Sequence, residues 1–181
     1  MMPVITDTKD YNGFYEKSDR LDLRRYIDEV KDIIQDFDLF VKEEKHVNGT
    51  RGIRNKIDER FTLAGGWVKA VTGDIDWVKN TEDGRSMGVE VQVSGRSDML
   101  AVDVLHLAEA IGGGKIDIGI IVVPDDTLSR YLTDRTPNFR TAVKHVDQRG
   151  NSLPILIISF RHDGVGEPLA KAVTNLGKDS K

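Results

Sequence analysis

The chain contains no cysteine in 181 residues, which excludes disulfides and thiolate metal sites and suits a reducing compartment. No apolar run is long enough to span a bilayer, and the opening "MMPVITDTKDYNG" has neither the basic start nor the apolar block of a secretory signal. Both absences lead to the expectation of a cytoplasmic protein without a membrane partner. Charge of one sign is also missing. Lys+Arg 26 stand against Asp+Glu 30, a net charge of -4, which disfavours a nonspecific nucleic-acid coat and leaves room for a local basic surface. There is no repeat, low-complexity tract or linker. "GGGK" at 112–115 lacks the P-loop spacing and joins a helix to a strand, the reverse of the order a phosphate loop needs. His46, His106, His145 and His162 show no zinc spacing, and His106, beside an apolar stripe, reads as a packed or surface side chain. No Ser-His-Asp arrangement can be traced.

What is present describes an ordinary globular chain: 39% hydrophobic and 31% charged, of a length that fits one domain over residues 1–181. From about residue 21 to 45, Leu23, Ile27, Val30, Ile34, Phe37 and Val41 recur in steps of four and three, which predicts one long amphipathic helix. A shorter helix follows from Ile53 to Arg60. The stretch 61–94 is rich in β-branched and aromatic residues and punctuated by glycine, as expected of several strands. "SDMLAVDVLHLAEAIGGG" has helical spacing, and "KIDIGIIVVP" has the two-sided apolar character of a central strand, so a strand–helix–strand crossover is expected at 88–123. A further helix with Thr136 as cap and Pro137 in its first turn, the core strand "LPILIISF" and a short polar tail complete an α/β reading: a mixed sheet with helices on both sides.

One hairpin departs from plain patterning. "DIDWVK" and "SMGVEVQV" flank the turn signal Asp83-Gly84, and symmetric folding about residue 83 sets Asp76 opposite Glu90 and Asp74 opposite Gln92. Ile75 and Trp77 would then share the core face with Val89, Val91 and Val93. Like charges directly opposed on an antiparallel pair destabilise it, so the acids need a reason. Two readings stand: a solvated outer face where screening tolerates the pair, or a divalent cation held by Asp76 and Glu90, with Gln92 beside it holding a water or a phosphate oxygen.

"IDWVK...GVEVQVS" resembles the active-site hairpin of the PD-(D/E)xK nucleases, and Gln92 at the position of the usual lysine is similar to type II restriction endonucleases of the BglII and BstYI kind. The likeness extends through "IDIGIIVVP", "YLTDRTPNF" and "LPILIISFRHDG", roughly residues 53–164, the catalytic core. It implies a restriction-endonuclease-like fold and hydrolysis of DNA phosphodiesters with Mg2+, for which Mn2+ can substitute. Carried over by position, Asp76 and Glu90 would be metal ligands, Gln92 their catalytic companion, and Ser94 a residue turned toward the DNA. Glu59, on the preceding helix, is a further candidate ligand. The loop between the acids is longer than in the family pattern, so Asp74 and Asp83 stand as alternatives to Asp76, which the symmetric pairing favours.

Contacts to DNA are expected from Arg96, Ser97, Arg135, Arg140 and Lys144, the last two sharing a helical face. Cleavage of both strands at a palindrome implies a homodimer, and the relatives imply a GATC-centred site with a four-base 5′ overhang and a cognate methyltransferase encoded nearby. The alternatives are a repair or junction nuclease of the same fold and a noncatalytic DNA-binding module.

Overall fold

A computed structural model of the chain describes residues 2–70, 74–93 and 96–169. The order is β1 (Val4–Asp10), α1 (Phe14–Arg20), α2 (Arg24–Gln35), β2 (Phe40–Val41), α3 (Thr50–Ala64), β3 (Trp67–Lys69), β4 (Trp77–Asn80), β5 (Ser86–Val91), α4 (Met99–Gly112), β6 (Ile118–Pro124), α5 (Asp126–Tyr131), α6 (Phe139–Arg149), β7 (Ile155–Arg161) and β8 (Gly164–Val165). Six strands form one mixed sheet in the order β1-β7-β6-β5-β4-β3, while β2 and β8 form a small parallel pair. The central β5, β6 and β7 run parallel, and β4 returns antiparallel beside β5. The crossover expected at 88–123 is present: β5, α4 and β6.

Strand alternation builds a core on each side of this sheet. Met87, Val89, Val91, Ile118, Ile120, Val122, Leu156 and Ile158 pack with α2 and α3 through Ile27, Val30, Ile34, Ile53, Ile57 and Phe61. Ile121, Val123, Ile155 and Ile157 pack on the other side with Leu100, Val104 and Leu107 of α4 and Ala142 and Val146 of α6. Helix α4 lies close to the strands: a Cβ at Gly119 would stand 3.0 Å from Leu107 Cδ2.

Three expectations need correction. Of the long helix expected over 21–45, only α2 is helical; α1 ends before it at Arg20, and an extended segment follows it. Asp22 takes a left-handed φ of 54° between α1 and α2, and α2 ends at Gln35. Beyond it Phe37, Leu39 and Val41 are all buried, alternating as in a strand, and the Leu39 N–H donates to Asp163 Oδ2 at 3.0 Å. Phe37 and Val41 lie four apart, so a period of two passed for a helical one. The last helix is capped by Asn138, whose side chain accepts from the Thr141 N–H, and not by Thr136, which bonds to Thr133. Ile75 departs from the face of Trp77 and joins the α4 side, against Gly88 and Ile116. It precedes β4, where strand alternation does not yet govern it.

Candidate active site at the β4–β5 hairpin

The register of the hairpin sets the site. Trp77 pairs with Val89, Val78 with Gly88 and Lys79 with Met87, so the symmetry about residue 83 holds, and Asp76 stands across from Glu90. Each acid's side chain accepts from the backbone across the hairpin: the Asp76 N–H donates to Glu90 Oε2 at 3.2 Å, and the Val91 N–H donates to Asp76 Oδ2 at 2.8 Å. Because Val89, Val91 and Val93 point toward α2 and α3, Glu90 and Gln92 point the other way, beneath α4. Glu90 is 2% exposed and Gln92 9%. A solvated outer face is therefore ruled out for Glu90, which α4 covers, while Asp76 is half-buried.

Each acid meets a different environment. Asp76 Oδ1 accepts from Arg54 Nη2 at 2.8 Å, and the same guanidinium donates to the Val91 carbonyl at 2.6 Å and to Asp58 Oδ1 at 3.0 Å. Asp58 also accepts from Trp77 Nε1 at 2.9 Å and from Lys69 Nζ at 2.8 Å. Burial acts to raise the Asp58 carboxyl, but Lys69, Arg54 and Trp77 hold it below its usual range. Arg54, whose charged form burial disfavours, is raised by Asp76 and Asp58.

On the other side, Glu90 Oε1 is buried with no hydrogen-bond partner. His106 Nδ1 lies 3.6 Å from it, and Asp103 Oδ2 accepts from Gln92 Nε2 at 2.8 Å. Burial, then the charges of Asp76 and Asp103, pushes the Glu90 carboxyl far above the carboxylate range. Burial and Asp76 push Asp103 up to about 7. Glu90, Asp103 and His106 offer ligand atoms that all lie within 4.8 Å of one another.

The remaining sequence candidates are scattered around this centre. Glu59 does not reach it: it is exposed and paired with Lys56 at 2.8 Å, because one step along α3 turns the side chain about 100° away from Asp58. Gln92 reaches it, but its amide donates to Asp103, which is not the water-holding role expected of it. Asp74 bonds the Ile75 N–H and Asp83 pairs with Arg85, so neither replaces Asp76. Ser94 lies outside the described residues. Arg96 is exposed and paired with Asp98 at 2.8 Å; the Ser97 N–H donates to the Arg135 carbonyl at 2.8 Å, which ties the two loops together. Arg140 pairs with Asp126 at 3.0 Å, and Arg135 and Lys144 are exposed.

Arg54, Asp58 and Asp103 are missed by the sequence reading, and His106, which reads there as a packed or surface side chain, faces Glu90. The two residues of α4 carried a signal: an acid and a histidine three apart, each one position before a buried apolar residue, Val104 and Leu107. Arg54 and Asp58, four apart on α3, read as an ordinary surface ion pair.

Residues 20–160 match the family described as Restriction endonuclease BglII/BglIII. The chain belongs to that family. It is accordingly a type II restriction endonuclease, a hydrolase that acts on DNA. The crystal structure of free BglII superposes with a TM-score of 0.58 at 15% identity, over 89% of this chain and 79% of that one, a likeness of fold. No match was found among curated proteins. Among the described residues of this restriction endonuclease, no helix is long and apolar enough to cross a membrane.

Proposed function

We propose that the chain is a Mg2+-dependent restriction enzyme of the PD-(D/E)xK kind, in its Glu-x-Gln variant, that acts as a single nuclease domain and cuts both strands of duplex DNA. The carrying observation is the opposed Asp76–Glu90 pair with a buried Glu90 oxygen that has no hydrogen-bond partner. The donors there, two carboxylates from adjoining strands, are hard oxygens of the type that magnesium takes, so the residues present fit the ion. Asp76 and Glu90 would hold it. A magnesium ion so bound polarises a phosphoryl oxygen and lowers the pKa of a water.

The rest is the work of this chain's own groups. The Val91 N–H fixes Asp76 Oδ2, which leaves Oδ1 to turn from Arg54 to an incoming cation. Arg54, tied also to Asp58, keeps the three charges near balance in the meantime and has donors to offer a phosphate once released. Gln92 carries no charge and cannot act as a general base; its amide sets the orientation of Asp103. DNA is contacted through Ser94, Arg96, Ser97, Arg135, Arg140 and Lys144, outside the acidic centre, where cations can meet phosphates and base edges.

Two-strand cutting is assigned to a homodimer, which the exposed apolar Met99, Val102 and Leu105, spaced three apart along α4, support. The recognition site is taken as a GATC-centred palindrome cut with a four-base 5′ overhang, and a cognate methyltransferase gene nearby belongs to the same reading. Incubating the purified protein with unmethylated phage DNA and Mg2+ and sequencing the ends tests the cutting, the site and the overhang. Discrete fragments with such ends are expected. Structure-dependent nicking, or no cutting with any divalent ion, overturns the reading.

A further inference from the structure

We infer that Glu90, Asp103 and His106 form a second cation site, distinct from the Asp76 side of Glu90 and selective for a divalent transition ion such as Zn2+. It shares Glu90 with the site proposed above but draws its other ligands from α4. Three observations meet here. The ligand atoms lie within 4.8 Å of one another, which is a span one ion can close. Glu90, 2% exposed, directs an unpartnered oxygen into the space, an arrangement that is costly unless something positive meets it.

The local charges are also lopsided. Arg54 and Lys69 answer Asp58 and Asp76 on the α3 side, whereas on the α4 side His106 is the one ion-pair partner of Glu90 within 4 Å among the described residues. The two oxygens of Glu90 divide accordingly, Oε2 toward the Asp76 backbone and Oε1 toward His106. Gln92 then has a structural reason to be an amide. Its N–H holds Asp103 Oδ2, so that carboxylate is pre-oriented, as the partners that orient metal ligands are in known metal sites.

The donor set decides the class of ion. Imidazole suits zinc, copper, iron and nickel, whereas magnesium, calcium and manganese are suited by oxygen donors. Zinc in particular takes histidine and carboxylate together, with water filling the remaining positions. Asp103 and His106 lie three apart on one face of α4, so a single helix supplies two ligands without any change of backbone.

The test uses the full chain freed of metal. Zn2+ is titrated calorimetrically without DNA or magnesium, and the histidine ring nitrogens are followed by NMR. Saturable binding is expected, with the His106 ring signals shifting and those of His46, His145 and His162 not. His106→Ala and Asp103→Asn should each weaken binding by about tenfold or more, whereas Asp76→Asn should leave it nearly unchanged. Asn at 103 keeps an oxygen for the Gln92 amide, which guards against a loss that merely reports misfolding. Binding that survives His106→Ala, or that Asp76→Asn weakens as much, overturns the second site. Cleavage with magnesium alone is read in the unaltered chain: cutting without His106-dependent zinc uptake defeats this inference only, and zinc uptake without cutting defeats only the nuclease reading.

Discussion

Strand β5 is buried on both faces, and the two faces do opposite things. Toward α2 and α3 it presents Met87, Val89, Val91 and, just past its end, Val93, none more than 1% exposed. Each such side chain contributes roughly 1.5–3 kcal/mol by leaving water. Toward α4 it presents Gly88, Glu90 and Gln92, almost as deeply covered, and here burial works against the fold. A buried carboxylate costs several kcal/mol to keep ionised, so the metal-free chain keeps a proton on it instead. Depth of burial therefore does not separate packing from chemistry in this strand; what separates them is whether the covered group has a partner. The apolar face needs none, and the polar face has an oxygen without one. Perturbed carboxyls of this kind gather where a site is built to bind or react.

The sharpest way to break the comparison is to remove one member of each face. Glu90→Ala or Asp76→Ala should slow DNA cleavage by about 10³-fold or more, since a metal's charge stabilisation amounts to several kcal/mol. Val89→Ala should leave the cleaved ends unchanged. Thermal melting of metal-free protein should show the reverse contrast. Val89→Ala deletes two buried methyl groups and should destabilise by about 2–3 kcal/mol, whereas Glu90→Gln spares the chain the cost of protonating a carboxylate on folding and should raise Tm at neutral pH, at about 2–4 °C per kcal/mol for a chain of this length. A fall in Tm for Glu90→Gln would make Glu90 a structural group like its neighbours.

Proton linkage distinguishes the faces next. In the folded chain Glu90 and Asp103 keep protons at pH values where the unfolded chain, with ordinary carboxyls near about 4, has lost them. The native state thus binds more protons from about pH 4 upward, so this contribution is fully present below that pH and is lost as pH rises through about 7 for Asp103 and beyond for Glu90. Urea unfolding without metal should show stability falling by about 1 kcal/mol or more between about pH 5 and pH 8, and Glu90→Gln should flatten that slope. A slope of opposite sign, or one that Glu90→Gln leaves intact, would contradict the shift. Saturating metal should flatten it too, because binding needs the ionised forms.

The same contrast explains how much could be read without coordinates. The hairpin was legible in full register, since Asp83-Gly84 and the alternating valines leave few pairings. The Asp76–Glu90 opposition followed from it. Central β6 and β7 and helix α4 were legible because continuous or periodic apolar residues are tertiary signals in their own right. What escaped was carried by polar residues whose partners are distant in sequence. Asp103 and His106 enter the site only because α4 crosses over β5, and Arg54 because α3 packs beneath it; no local spacing encodes either. Edge strand β1 escaped for a related reason: it pairs on one side only, with β7, and its mostly exposed or half-buried polar residues supply no apolar period. Glu59 stands one residue from Asp58, and on a helix one residue is a different face.

Arginine supplies the mildest form of the comparison, one residue type in two settings. Arg54 is held by Asp76, Asp58 and the Val91 carbonyl, with its side chain 18% exposed, whereas Arg140 is 84% exposed and has a single ion pair with Asp126. An exposed pair of that kind contributes little to folding because water and salt screen it. Arg140→Ala should therefore leave Tm where it is. Its effect belongs to the DNA: if Arg140 meets a phosphate, the slope of log affinity against log salt should shrink by about 1, uniformly across sequences. If instead the loss is confined to cognate DNA with the salt slope intact, Arg140 reads a base edge, and a loss of Tm alone would place it with Arg54 as a residue that holds the fold together.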